Sequence, residues 1–208
     1  LLFIDVDTMP KNEKFLETYL SHINKTDAVF GGVFYNKESF SQNNSLRFTF
    51  GKKREQVPSK KRMSNPYKYI ISSNYMINKS IFDEIEVPAD INGYGLDYFF
   101  GAQLKTNNVH ITHIDNEVFH LGLDDNNKFL EKTRSALDNL KYMNSNNYIK
   151  KHDISILKAY NFLKILLLKS MFYAMVNTVN NKIEINLMSK KPSLFAFDLY
   201  RLAYLCKD

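Results

Sequence analysis

The chain opens on Leu1-Leu2-Phe3-Ile4 and turns at once to Asp5-Val6-Asp7, a juxtaposition that leaves few folds open. A continuous apolar run of this length predicts a short strand buried on both faces, and such strands belong inside a sheet covered on both sides. Covering layers for a sheet of that kind are helices, so the first residues already imply an α/β fold. The two carboxylates then fall at the strand end where open α/β sheets place their ligands.

The rest of the first 120 residues agrees with that class. Pro10 is expected to open a helix whose buried face is Phe15, Leu16, Tyr19, Leu20 and Ile23, spaced by one, three and four. Residues 28–35 read as a strand. A polar stretch to about residue 65 follows as the main loop region, broken only by a β-like run over 46–50. Residues 69–71 lead as a strand into Ser72-Ser73-Asn74 and on through Met76 and Ile77, before a short helix near 80–84. Gly93-Tyr94-Gly95 signals a turn, and residues 97–104 read as a helix with Asp97 near its positive end. Strands are expected over 109–111 and 117–121. After Gly122 the pattern becomes helical, over 127–150, 154–179 and 194–205, so a soft boundary is placed near residue 124.

Composition narrows the classes of function. At 208 residues with 44% hydrophobic content, 16 Phe and 13 Tyr, the chain carries enough apolar side chain for one folded domain with a helical appendage. Its one cysteine, Cys206, excludes an internal disulfide and a cysteine-based zinc cluster, which points to a reducing compartment and hence the cytoplasm. The net charge of +6 is uneven: Lys52, Lys53, Arg54, Lys60, Lys61 and Arg62 are opposed only by Glu55. That run reads as a solvated basic loop able to attract phosphate or an anionic surface. No groove-entering element or stacking platform accompanies it, so nucleic acid is not an expected partner. Lys158, Lys164 and Lys169 interrupt the most apolar stretch and argue against a transmembrane span. They lie in one arc of a helix whose broad apolar face is left for the α/β part, a partner subunit or peripheral contact with a membrane.

The chemistry sits in the carboxylates. Two acids one residue apart at a strand end can hold a divalent cation, one directly and one through water or a substrate hydroxyl. In this setting Leu2-Phe3-Ile4-Asp5-Val6-Asp7 with Pro10 resembles the metal motif of family 2 glycosyltransferases of the GT-A fold. Ser73-Asn74-Tyr75-Met76-Ile77 resembles that family's acceptor-side segment, and Gly93-Tyr94-Gly95-Leu96-Asp97 its glycine, aromatic, glycine, acidic, acidic motif. Val118-Phe119-His120 resembles the strand bearing a late metal-binding histidine. The four elements come in the family's order over about residues 1–122, whereas the helical remainder has no such likeness.

The resemblance implies a GT-A-like mixed sheet with flanking helices over residues 1–124 and a C-terminal helical extension over 125–208. It implies that Asp7 and His120 bind Mn2+ or Mg2+, and that Asp5 and Asp7 meet the nucleotide-sugar donor, a UDP-sugar. Asn74, Gly93 and Tyr94 would face a glycan or lipid-linked acceptor. Asp97 would be the general base of an inverting transfer, in surface-glycan assembly at the inner face of the membrane. Asp7 and His120 must then converge to within about 5 Å to share one metal. One departure stands out: Leu96 precedes Asp97 where the family has a second acid, which bears on acceptor recognition.

Two other classes fit parts of the pattern. A haloacid-dehalogenase-like phosphatase also opens on an apolar strand and Asp-x-Asp, but here Met9 and Gly122-Leu123-Asp124-Asp125 only approximate its remaining motifs. A glycosyltransferase-like binding module without turnover is the non-enzymatic alternative, prompted by Leu96. Asp124 and Asp125 themselves read as a helix start. Since the family's nucleotide-binding half precedes its metal motif, the chain by itself is expected to bind nucleotide sugar weakly and to leave the outer edge of its first strand unpaired.

Overall fold

A computed structural model describes residues 1–91 and 93–207. The fold is mixed α/β, with two small sheets in the first part and helices in the second. The larger sheet holds β1 (Leu2–Ile4), β3 (Ala28–Phe30), β5 (Asn74–Ile77) and β6 (Ile111–His113) in the order β1-β5-β3-β6. β5 is antiparallel to both of its neighbours, and β3 runs parallel to β6. The smaller sheet holds β2 (Thr8–Pro10), β4 (Val33–Phe34) and β7 (Val118–His120) in the order β2-β7-β4, with β2 antiparallel and β4 parallel to β7.

The apolar opening run is an edge strand and not an interior one. β1 pairs with β5 alone among the described strands, and Leu2 and Ile4 are 37% and 41% exposed. Only Phe3 turns inward, where its ring stacks on Tyr75 at 4.8 Å and packs against Phe82 at 4.9 Å. The face of the sheet to which Leu2 and Ile4 point is left uncovered at this edge, so every second residue of the run escapes burial.

The strand expected over 28–35 is split between the two sheets, and Gly31 and Gly32 are the reason. Gly31 N–H still bonds to Asn74 O in the larger sheet, whereas Gly32 O already accepts from Val118 N–H in the smaller one. A Cβ on Gly31 would collide with Asn74, Asn116 and Tyr19, and Gly32 takes φ +87, which favours glycine. Pro10 ends β2 instead of opening a helix; the helix is α1 (Phe15–Leu20). Of the residues assigned to its buried face only Phe15 and Tyr19 are buried, and Leu16, Leu20 and Ile23 are exposed.

The polar stretch is largely helical. α2 (Ser45–Phe50) runs on into a π-helical turn, Gly51–Glu55, and α3 (Ser59–Met63) follows. Leu46, Phe48 and Phe50 alternate with polar residues and mimic a strand, but tertiary packing overrides that period: Leu46 is fully buried in a core with Leu130, Leu187 and Phe197. Nor is the basic run wholly solvated. Arg62 is 2% exposed and donates to the carbonyls of Val57, Phe30, Gly31 and Ile114. It also donates to His113 Nδ1 at 2.9 Å, while His113 Nε2 meets Pro66 O at 2.9 Å. Burial drives the His113 ionisation down to about 4, so the ring is neutral and can accept from the guanidinium.

α4 (Lys79–Asp83) and α5 (Leu96–Thr106) complete the first part. In the second, α6 (Asn126–Ser145) is capped by the Asp125 carboxylate, which accepts from Lys128 N–H at 2.9 Å. The apolar stretch expected as one helix over 154–179 is two, α7 (Ser155–Ile165) and α8 (Lys169–Asn177), meeting at 115°. α9 (Asn180–Leu187), which the sequence pattern did not signal, precedes α10 (Leu194–Cys206), and α10 packs on α6, α7, α8 and α9. No single helix among the described residues is long and apolar enough to cross a membrane. The two parts share a core: besides Leu46, Asn126 accepts from Leu46 N–H at 2.8 Å, and Ser45 donates to Ser189 O at 2.7 Å.

Candidate functional site

Between β1 and β2 the chain makes a tight turn. Asp5 O accepts from Thr8 N–H at 3.1 Å and from the Thr8 hydroxyl at 2.7 Å, and Val6 at the turn's apex is fully exposed. The turn carries the Asp5 and Asp7 carboxylates to a cavity of about 370 Å³ that opens where the two sheets, α5, α6 and α10 meet. Gly122 supports this placement, since a Cβ there would lie 2.6 Å from Asp7 Oδ2. His120 ends β7 as the register partner of Thr8, so Asp7 and His120 stand at neighbouring strand ends and both line the cavity.

Asp97 reaches the same cavity from the first turn of α5, behind Gly95 in the left-handed conformation. A Cβ on Gly95 would press on the backbone of Ala136, so this glycine lets α5 start against α6. Burial raises the Asp97 ionisation to about 6; Glu55 and Asp5 push it further in that direction, and hydrogen bonds from Ser72 oppose it. Asp5 is also held above the ordinary carboxylate range, by desolvation first and then by the charge of Asp7. Asp5, Asp7 and Asp97 have no ion-pair partner among the described residues. The cavity thus gathers three uncompensated acids.

Beneath them lies a cluster that sequence reasoning did not single out. Arg47 pairs with Glu55 at 3.0 Å and donates to the Tyr35 hydroxyl at 2.8 Å, and that hydroxyl donates to Glu55. The His120 ring stacks on Tyr35 at 5.6 Å with the planes 18° apart. Desolvation, and then the nearby Arg47 charge, lower the His120 ionisation, so the imidazole is neutral at pH 7. The π-helical turn brings Glu55 to this place, and Gly51 makes it possible, because a Cβ there would fall within the Tyr35 ring. The signal in the sequence was Glu55, the sole acid amid six basic residues.

Two buried polar atoms at the cavity have no hydrogen-bond partner, Ser73 Oγ and His120 Nδ1. Buried groups of this kind are uncommon and call for a ligand or a role. The Asp5 and Asp7 carboxylates are oxygen donors of the kind that Mg2+ and Mn2+ take, whereas a neutral imidazole nitrogen suits softer transition-metal ions. Among the described residues no three His, Cys, Asp or Glu side chains are arranged to hold a metal ion by themselves. Two protein carboxylates completed by phosphate oxygens and water is, however, the ordinary way of holding Mg2+. Arg47 Nη2 donates a long hydrogen bond to His120 Nε2 at 3.4 Å, which places the imidazole proton on Nδ1, so a metal at Nδ1 would have to displace that proton and this bond.

The acceptor-side residues fare differently. Tyr94 is half exposed at the cavity mouth with Lys132 over its ring at 4.9 Å, and Gly93 is exposed beyond the lining. Asn74 lies outside the cavity and is 1% exposed: its Oδ1 accepts from Tyr19 at 2.6 Å, and its Nδ2 donates to Gly32 O and Asn116 O. With every polar atom engaged in joining the sheets, it has none to offer a sugar. The helical part supplies lining instead, with Phe129 and Lys132 from α6 and Phe197 and Arg201 from α10.

Comparison with protein-family models, with curated proteins and with solved structures gave no significant match.

Proposed function

We propose that the chain carries the metal-binding and acceptor-side chemistry of a GT-A-like glycosyltransferase, moving a sugar from a UDP-sugar to a hydroxyl acceptor with inversion. The observation that carries this reading is the gathering of Asp5, Asp7, Asp97 and His120 in one cavity with Asp97 ionising at about 6. Asp7 and His120, with Asp5 beside them, would hold Mn2+ or Mg2+. A bound divalent ion supplies charge neutralisation for a diphosphate leaving group. Asp97 is ionised at pH 7 yet basic enough to take a hydroxyl proton, the compromise that general-base catalysis favours. Tyr94 at the mouth offers an aromatic face to an incoming glycan, with Lys132 beside it held by Asp124. Leu96 offers no second acid there, so the α6 and α10 side chains would do more of the acceptor positioning.

Titrating Mn2+ with and without UDP, read by electron paramagnetic resonance, tests the reading. Metal binding that both Asp5→Asn and Asp7→Asn weaken at least tenfold is the expected result. Binding indifferent to both changes, or no binding even with UDP, sinks it. Trapping of a phosphoryl group on Asp5 would instead favour the phosphatase chemistry.

A further inference from the structure

α7 and α8 form an elbow whose outer surface is apolar. Phe162 and Ile165 are 62% and 79% exposed, Leu166 47%, Leu167 at the bend 90%, and Met171 and Met175 64% and 60%. Helical spacing puts Phe162, Ile165 and Leu166 on one side of α7, and Met171 and Met175 on one side of α8. The opposite faces are occupied by core packing, with Leu157, Tyr160 and Val176 buried.

Charge is the second observation. Between Asp153 and Glu184 every charged residue is a lysine: Lys158 is paired with Asp153 at 3.0 Å and Lys169 lies over the Tyr160 ring at 5.6 Å, while Lys164 and Lys182 are exposed. Backbone geometry is the third. α7 closes with Leu168 N–H bonded to Leu163 O and Leu167 N–H to Lys164 O, the Schellman arrangement, in which the left-handed residue is ordinarily glycine. Here it is Leu167, at φ +58; the other non-glycine residues with positive φ among those described are asparagines. A leucine kept in a disfavoured conformation with its side chain in solvent gains nothing from packing within this chain, and strain of this kind collects at sites of use.

We propose that the elbow is a docking surface for an anionic phospholipid bilayer, with Leu167 at the tip entering the acyl boundary and Lys164 and Lys182 facing the headgroups. This goes beyond the sugar-transfer reading and does not rest on it. Charge selects the occupant: a second copy of the chain laid on the same surface would bring like lysines together, whereas anionic lipid answers them. Neither helix is long enough to span by itself, and the 115° between them lets both lie along one surface, which favours the interfacial mode.

The test is co-sedimentation of the full chain with phosphatidylcholine vesicles containing about 30% phosphatidylserine, against pure phosphatidylcholine. Binding to the anionic vesicles alone, weakening as salt rises, is expected. Lys164→Ala should lower vesicle affinity about fivefold. Leu167→Gly is the decisive variant, because it relieves the backbone while deleting the apolar tip: thermal stability should hold or rise as vesicle affinity falls about tenfold. Equal binding to neutral vesicles, no binding, or variants without effect would overturn the proposal. So would a dimer in solution that Leu167→Gly dissociates.

Discussion

Asp97→Asn should make the protein more stable at neutral pH. The Asp97 carboxyl ionises at about 6 in the folded chain against an ordinary 3.8, with burial as the main cause. The folded state therefore holds a proton, between those two values, that the unfolded chain has released. Stability falls as pH rises through that window, the penalty is complete above about 6, and it is absent below 3.8. At ~1.4 kcal/mol per pH unit the gap amounts to roughly 3 kcal/mol. Ser72 hydrogen bonds, which favour the charged form, are weaker toward an amide, so a net gain of about 2 kcal/mol is expected. For a chain of this size that is a rise in Tm of about 4–8 °C. Thermal unfolding of both proteins from pH 4 to 8 is the assay, and the difference should be near zero at pH 4 and level above pH 6.5. On the proposed function, transfer activity should meanwhile drop by about 10² to 10⁴. A variant less stable at pH 7, or a gain that does not change with pH, would refute the account of Asp97 as a desolvated base.

Two further substitutions probe the frame around the cavity. Gly51→Ala sits at helical φ and ψ, where propensity alone favours alanine by about 0.5–1 kcal/mol, but its Cβ would meet the Tyr35 ring. Displacing a buried ring costs about 1–3 kcal/mol, so urea denaturation should show a net loss; an unchanged midpoint would mean that Tyr35 moves freely. Arg62→Met strands the carbonyls of Phe30, Gly31, Val57 and Ile114, and a loss of about 3–5 kcal/mol is expected in the same assay, against little change if the run were a solvated loop.

What the sequence disclosed about the site was its one-dimensional part: acids beside a strand end, a glycine turn before an acidic helix start, a histidine at the end of a late strand. Those features are local, and Asp5, Asp7, Asp97 and His120 line a common cavity. The Arg47–Glu55–Tyr35 cluster was hidden because its meaning lies in burial, and a basic stretch reads the same whether one of its neighbours is paired or solvated. Likewise Leu46, Phe48 and Phe50 carry a strand's period in a segment whose helix is imposed by α6 and α10. The break between α7 and α8 left no trace because leucine stands where glycine would have announced it. An apolar run such as Leu1 to Ile4 cannot say whether one or both of its faces will be covered, and here it is one.

The division at Gly31 and Gly32 has a mechanical consequence for the carboxylates. Asp5 N–H still belongs to the larger sheet, bonded to Ser73 O, while Asp7 O already accepts from Leu121 N–H in the smaller one. The Asp-Val-Asp turn and the Gly-Gly step are thus two bridges across a single seam. The separation of the two acids is set by the relative position of two slabs of backbone rather than by the pleat of one strand. A slip along the seam would change the spacing of the two carboxylates without disturbing either sheet. Residues outside the cavity lining that clamp the slabs, Asn74 and Asn116 among them, therefore act as calipers on the site.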